Sequence, residues 1–139
     1  MDKHEQYTRK IRAEIENVEK VLKVLAKHKS KKGLSELELA GVATYIHNFY
    51  NGTENILKQM LIEKGVRIDD TPFWHRELLI KSLSSGFIDE KMHDNLLKFL
   101  SFRHFFIHSY GFILEDKELR TLLDIIFATW KEFKAQIKF

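Results

Sequence analysis

An arginine, two histidines and a tyrosine stand within eight positions of an otherwise apolar stretch, Ser101-Phe102-Arg103-His104-Phe105-Phe106-Ile107-His108-Ser109-Tyr110-Gly111. Leu96, Leu97, Phe99 and Leu100 precede it, and Phe112, Ile113 and Leu114 follow. A cation buried unpaired in such a run is costly, so Arg103 either reaches the surface or serves a purpose. Arginine and histidine together suffice for metal-free cleavage of RNA, where the nucleophile is the RNA's own 2′-hydroxyl. The protein must accept that proton, protonate the leaving 5′-oxygen and stabilise charge on the phosphate. Imidazole exchanges protons near neutral pH. A guanidinium stays charged and grips two phosphate oxygens at once. His108 as acid or base and Arg103 as phosphate clamp form a coherent pair.

Each residue also has an architectural reading. Arg103 can pair with Glu54 inside the fold, His108 can be a satisfied histidine near a helix end, and Tyr110 can be core. His104 and His108, four apart, share a helix face as metal-ligand pairs do. No glutamate stands between them in zincin fashion and no third ligand is evident, so no metal site is expected. On a straight helix Arg103 and His108 diverge by about 140°. Either the helix distorts near Ser109-Tyr110-Gly111, or a two-fold axis pools the residues of two chains in one cleft.

Composition narrows the setting. The 139 residues suit one domain with one core. A 44% apolar and 31% charged content is globular, and one proline with six glycines favours long helices. The net charge of +3 permits nucleic-acid contact without requiring it. The absence of cysteine excludes disulfides, thiol catalysis and thiolate zinc sites. The polar start, and the lack of any run near the ~18 apolar residues of a membrane span, point to the cytoplasm and away from membranes. No phosphate-cradling glycine loop, serine elbow or catalytic carboxylate pair is present, and no cofactor is expected.

Periodicity supplies the elements that would position the stretch. Ile11, Ile15, Val18, Leu22 and Leu25 predict a first helix over 3–27, with Gly33 suited to its C-terminal cap. The basic segment His28–Lys32 reads as a solvated helix end or an RNA backbone contact. Ser35 and Glu38 form a capping box for a second helix that runs to Glu63 and stops at Gly65. Gly52 inside it marks a close approach of a neighbour. A polar stripe, His47, Asn51, Glu54 and Lys58, is either a solvent face closed by a Glu54–Lys58 pair or a face turned toward an active site. Asp69-Asp70-Thr71-Pro72 reads as a turn followed by a helix start, with Thr71 as cap and Pro72 at the first position of a short helix over 73–83, Trp74, Leu78, Leu79 and Leu83 inward and His75, Arg76 and Glu77 at the rim. A fourth helix starts near Asp89 and carries Ile88, Met92, Leu96, Phe99, Arg103, Phe106 and Tyr110 in one stripe. Because it is apolar nearly all round, one of its faces is a candidate subunit interface. Glu115–Glu118 reads as a polar turn before a fifth helix over 117–137. The expected fold is an all-α, up-down bundle of four long helices plus one short helix, formed by residues 1–139 as a single domain.

Arg103, His108 and Tyr110, read as Arg-x4-His-x-Tyr within such a bundle, resemble the active-site motif of HEPN-domain ribonuclease toxins of the HepT-like branch. Thr71-Pro72-Phe73-Trp74-His75-Arg76-Glu77 is also similar to that branch. The resemblance implies a homodimeric, metal-independent endoribonuclease, with RNA as substrate and Arg103 and His108 catalytic. It implies that Tyr110 is adenylylated by a cognate nucleotidyltransferase antitoxin. An AMP group there would put bulk and negative charge into the RNA cleft. The family also sets a polar residue of an earlier helix near the motif, a part open to Asn51 or Glu54. His104 is an additional imidazole beside Arg103. The alternative is a non-catalytic helical module that binds a nucleotidyltransferase.

Overall fold

The computed structural model of the chain describes residues 2–108 and 116–139, without the side chain of His108. Its helices, in order, are α1 (Lys3–Ala26), α2 (Glu36–Glu63), α3 (Trp74–Ser84), α4 (Glu90–His108) and α5 (Asp116–Gln136). No helix among the described residues is long and apolar enough to cross a membrane.

Local chemistry sets most of these boundaries. The Ser35 hydroxyl accepts from the Glu38 N–H and the Glu38 carboxylate accepts from the Ser35 N–H, both at 3.1 Å, so the capping box opens α2. At its other end Gly65 takes φ +78°, which lets Val66 N–H reach back to the Leu61 carbonyl at 2.9 Å. Asp89 Oδ1 accepts from Met92 N–H at 2.7 Å and starts α4.

Three local expectations change. Gly33 does not cap α1: the helix ends at Ala26 with Lys27 as cap, and Gly33 uses its positive φ in the following loop. Thr71 does not cap α3. Its hydroxyl is taken by the N–H of Phe73, two residues on, so Thr71 serves the expected turn and not the cap, and the helix begins at Trp74. Asp116, Lys117 and Glu118 are not a turn but the first turn of α5.

The four long helices run alternately up and down, with α3 carried by the crossover from α2 to α4. Pairings along the helices fix the directions. His4 meets Glu63 and Asn55 meets Glu14, so α1 and α2 are antiparallel. Phe49 packs on Phe99, and His47 on Phe106, for α2 and α4. Lys91 reaches Glu132, and Asp89 exchanges hydrogen bonds with Gln136, for α4 and α5. Glu19 accepts from Trp130 and Lys134, which ties α1 to α5.

α2 lies at the centre and touches each of the other helices. Its buried Phe49, Tyr50, Ile56, Leu57 and Leu61 join Ile11 and Leu25 of α1, Met92, Leu96 and Phe99 of α4, and Ile126 and Phe133 of α5. A Cβ on Gly52 would lie 2.3 Å from Cγ2 of Val18. The glycine therefore marks the close approach of α1 to α2, at a cost of about 1 kcal/mol in helix propensity. The basic segment after α1 is tied down rather than merely solvated. The Arg120 guanidinium donates to the carbonyls of Lys29 and Lys31, Lys31 pairs with Glu38, and the Lys29 ammonium sits over the Phe127 ring.

Candidate active site

Glu54 stands in the buried register Ile46, Tyr50, Glu54, Leu57, Leu61 of α2, and it is 5% exposed. A carboxylate withdrawn from water requires a partner. Its partner is His75, at the start of α3, whose Nδ1 lies 2.7 Å from the Glu54 oxygen. The solvent face closed by a Glu54–Lys58 pair is thereby overturned, and so is an Arg103–Glu54 pair: among the described residues Glu54 is paired with neither cation. Lys58 instead sits over the Trp74 ring, at 5.4 Å from its centroid. The same Trp74 ring stacks on His75 at 3.7 Å, so the imidazole is held by a carboxylate at its edge and an indole on its face. His75 is thus a half-buried positioned group and not a rim residue.

His47 and Asn51 of the α2 stripe also turn inward, while Lys58 stays exposed. Asn51 Oδ1 accepts from Arg103 Nε at 3.3 Å, and its amide nitrogen lies 3.1 Å from His47 Nε2. A chain of contacts thus runs from His47 through Asn51 to Arg103. Among the described residues, His47 Nδ1 and the Tyr50 hydroxyl are buried without a hydrogen-bond partner. Burial pushes the Tyr50 phenol upward, and the nearby Glu54 charge pushes it the same way. A bundle selected for stability alone would put apolar groups at these positions, because unpaired buried polar atoms cost stability.

Burial likewise pushes His47 below its ordinary value, Arg103 pushes it further down, and Glu54 opposes both. In the unfolded chain His47 regains its ordinary value of ~6.5. Between the two values the unfolded state holds more protons, so stability rises with pH. This contribution is complete above about pH 6.5 and is lost as pH falls through the lower folded value. His47→Gln removes it. Urea midpoints should therefore fall more steeply from about pH 7 to about pH 5 in the unmodified chain than in His47→Gln. Parallel slopes would show that His47 titrates alike in both states.

Of these groups, His75 and Arg103 line one groove of about 530 Å³, between the start of α3 and the second half of α4. Pro72, Phe73, His75 and Arg76 line one side, and Leu100, Ser101, Arg103 and His104 the other. Phe73 is 72% exposed, an aromatic face open to a ligand. Two guanidiniums, two imidazoles and an aromatic ring converge here. Such a set can hold a phosphodiester, stack a base and move protons.

Of the residues singled out by sequence, Arg103, His104, Asn51 and Glu54 thus meet at or directly behind this groove. The side chain of His108, and Tyr110 and Gly111, lie outside the described residues. α4 is continuous through His108. Position 108 is one turn past His104 and two past Ser101 in register, and about 140° from position 103 around the axis. Phe105 and Ile107, toward the end of α4, are 41% and 38% exposed.

Sequence reasoning missed His75, Arg76 and Phe73 as groove residues. Glu54 gave the signal: it follows Tyr50 by four and precedes Leu57 by three, which sets a carboxylate on the buried stripe and demands a basic partner.

A family model described as HepT-like protein matches residues 41–139, which include most of α2 and all of α3, α4 and α5. No curated protein and no solved structure matches the chain.

Proposed function

The chain belongs to the HepT-like protein family, and from that premise we propose that it is the toxin of a toxin–antitoxin pair, a metal-independent endoribonuclease. The observation that carries this reading is the groove in which Arg103, His75, Arg76 and His104 converge beside an exposed aromatic ring.

In this reading the 2′-hydroxyl of RNA attacks the adjacent phosphorus, a 2′,3′-cyclic phosphate forms, and the bond to the 5′-oxygen breaks. Arg103 holds the phosphate and stabilises its developing charge, with Asn51 steadying the guanidinium at Nε. His108 moves the proton of the 2′-hydroxyl. Tyr110 is the acceptor of AMP from a nucleotidyltransferase antitoxin. Its modification, two residues from His108, blocks RNA entry by bulk and by charge. The exposed Phe105 and Ile107 of α4 support a homodimer whose two-fold axis runs near this helix.

A second reading has its own support. The Asn51–Arg103 and Glu54–His75 contacts also satisfy polar groups inside the bundle, as a non-catalytic module that pairs with a nucleotidyltransferase would need.

One assay separates the two. Purified protein, shown by intact mass to be unmodified, is incubated with labelled RNA in excess chelator beside His108→Ala. Cleavage by the unmodified chain, lost in the variant, is the expected result. Undiminished cleavage by His108→Ala would remove His108 from the mechanism. No cleavage of a broad RNA panel would favour the binding module.

A further inference from the structure

Transesterification of RNA needs two proton transfers, one from the 2′-hydroxyl and one to the 5′-oxygen, and the motif supplies one assigned imidazole per chain. We propose that His75 is the general acid of the reaction and Glu54 its positioning residue, an inference that rests on the ribonuclease reading above.

Four observations converge on His75. It lines the groove that Arg103 lines, from the opposite helix. Its Nδ1 lies 2.7 Å from the Glu54 carboxylate, and that side chain is 6% exposed. Trp74 stacks on the ring at 3.7 Å and limits its rotation. Arg76, the next residue, lines the same groove and adds a second guanidinium for the phosphate.

The carboxylate determines which nitrogen works. An ionised carboxylate only accepts, so the nitrogen facing Glu54 is the one that keeps its hydrogen in either charge state of the ring. Nε2 is then the atom that gains and loses a proton. When the ring is protonated, it forms an ion pair with Glu54 and leaves the Nε2–H as a donor for a ligand in the groove. The step balances as follows. The 2′-oxygen forms a bond to phosphorus and its proton passes to His108. The bond from phosphorus to the 5′-oxygen breaks, and that oxygen takes the Nε2 proton of His75. Water later restores the proton to His75.

The test replaces the bridging 5′-oxygen at a mapped cut site with sulfur. A thiolate leaves without being protonated, so a missing general acid no longer matters. Full-length, unmodified protein is compared with His75→Gln and Glu54→Gln on the oxygen and sulfur RNAs, with melting curves to confirm folding. His75→Gln should cleave the oxygen RNA roughly 10²- to 10⁴-fold more slowly and the sulfur RNA at close to the rate of the unmodified chain. Glu54→Gln should give an intermediate ratio, because it disturbs orientation rather than removing the donor. The ratio is internal to each variant, so partial unfolding lowers both rates together and leaves it unchanged. Equal slowing on both RNAs would make His75 a scaffold residue and overturn the proposal, as would full activity of His75→Gln on the oxygen RNA. If the unmodified chain cleaves neither RNA, the ribonuclease reading fails and this inference falls with it. If it cleaves and the ratio does not move, only the inference fails.

Discussion

Arg103→Ala is expected to slow RNA cleavage roughly 10²- to 10³-fold while leaving the fold nearly as stable as before. The two halves of that expectation have separate physical sources. Among the described residues the guanidinium has one protein hydrogen bond, from Nε to Asn51 at 3.3 Å, and this is a long bond. Its loss costs on the order of 1 kcal/mol, or a few degrees of melting temperature. Asn51 keeps its contact with His47, and the arginine side chain is only half buried. Its role in the reaction is larger. Charge develops on phosphate oxygens in the transition state, and a fixed guanidinium meets it without reorganisation. Arg103→Lys should recover little, since an ammonium keeps the charge but not the two-pronged geometry. The kinetic signature is a fall in kcat with a smaller change in KM. Undiminished cleavage by Arg103→Ala would transfer the phosphate to Arg76, on the facing side of the groove. A collapse in melting temperature of ten degrees would identify Arg103 as part of the scaffold.

The second large effect concerns stability. His75→Leu should destabilise the chain by about 3–5 kcal/mol, because it leaves the buried Glu54 carboxylate without its charged partner. For a chain of this size that is a fall of roughly 10 °C or more in melting temperature. Glu54→Leu should cost much less, since His75 keeps access to water from the groove and leucine suits the apolar stripe of α2. The double variant Glu54→Leu/His75→Leu should be more stable than His75→Leu alone, with a coupling of about 2 kcal/mol or more in a double-mutant cycle. Denaturant unfolding of the four proteins reads this directly. Additive effects would show that the 2.7 Å contact is energetically idle and that Glu54 is satisfied by another group. A pair that is expensive to break and cheap to replace by hydrocarbon is retained for a reason other than stability. A proton-transfer role is such a reason.

The helices are legible in the chain where the code is local. Ser35 and Glu38 satisfy each other's backbone across one turn, and Gly65 alone tolerates the positive φ that ends α2. The apolar periods of α1, α2 and α5 depend on nothing beyond their own 3.6-residue repeat. Where two local signals compete, spacing does not choose between them. Thr71 was free to cap a helix or to close a turn, and the turn took its hydroxyl. The Arg-x4-His-x-Tyr pattern was legible as well, since it needs only spacing. Which polar groups meet is set by packing between helices. Glu54 and His75 are 21 residues apart, Asn51 and Arg103 are 52 apart, and periodicity names the face of a helix but not the neighbour it turns toward. That choice follows from how α2, α3 and α4 rotate to bury their apolar stripes together, which carries Glu54 inward and brings His75 and Arg103 to opposite walls of one groove.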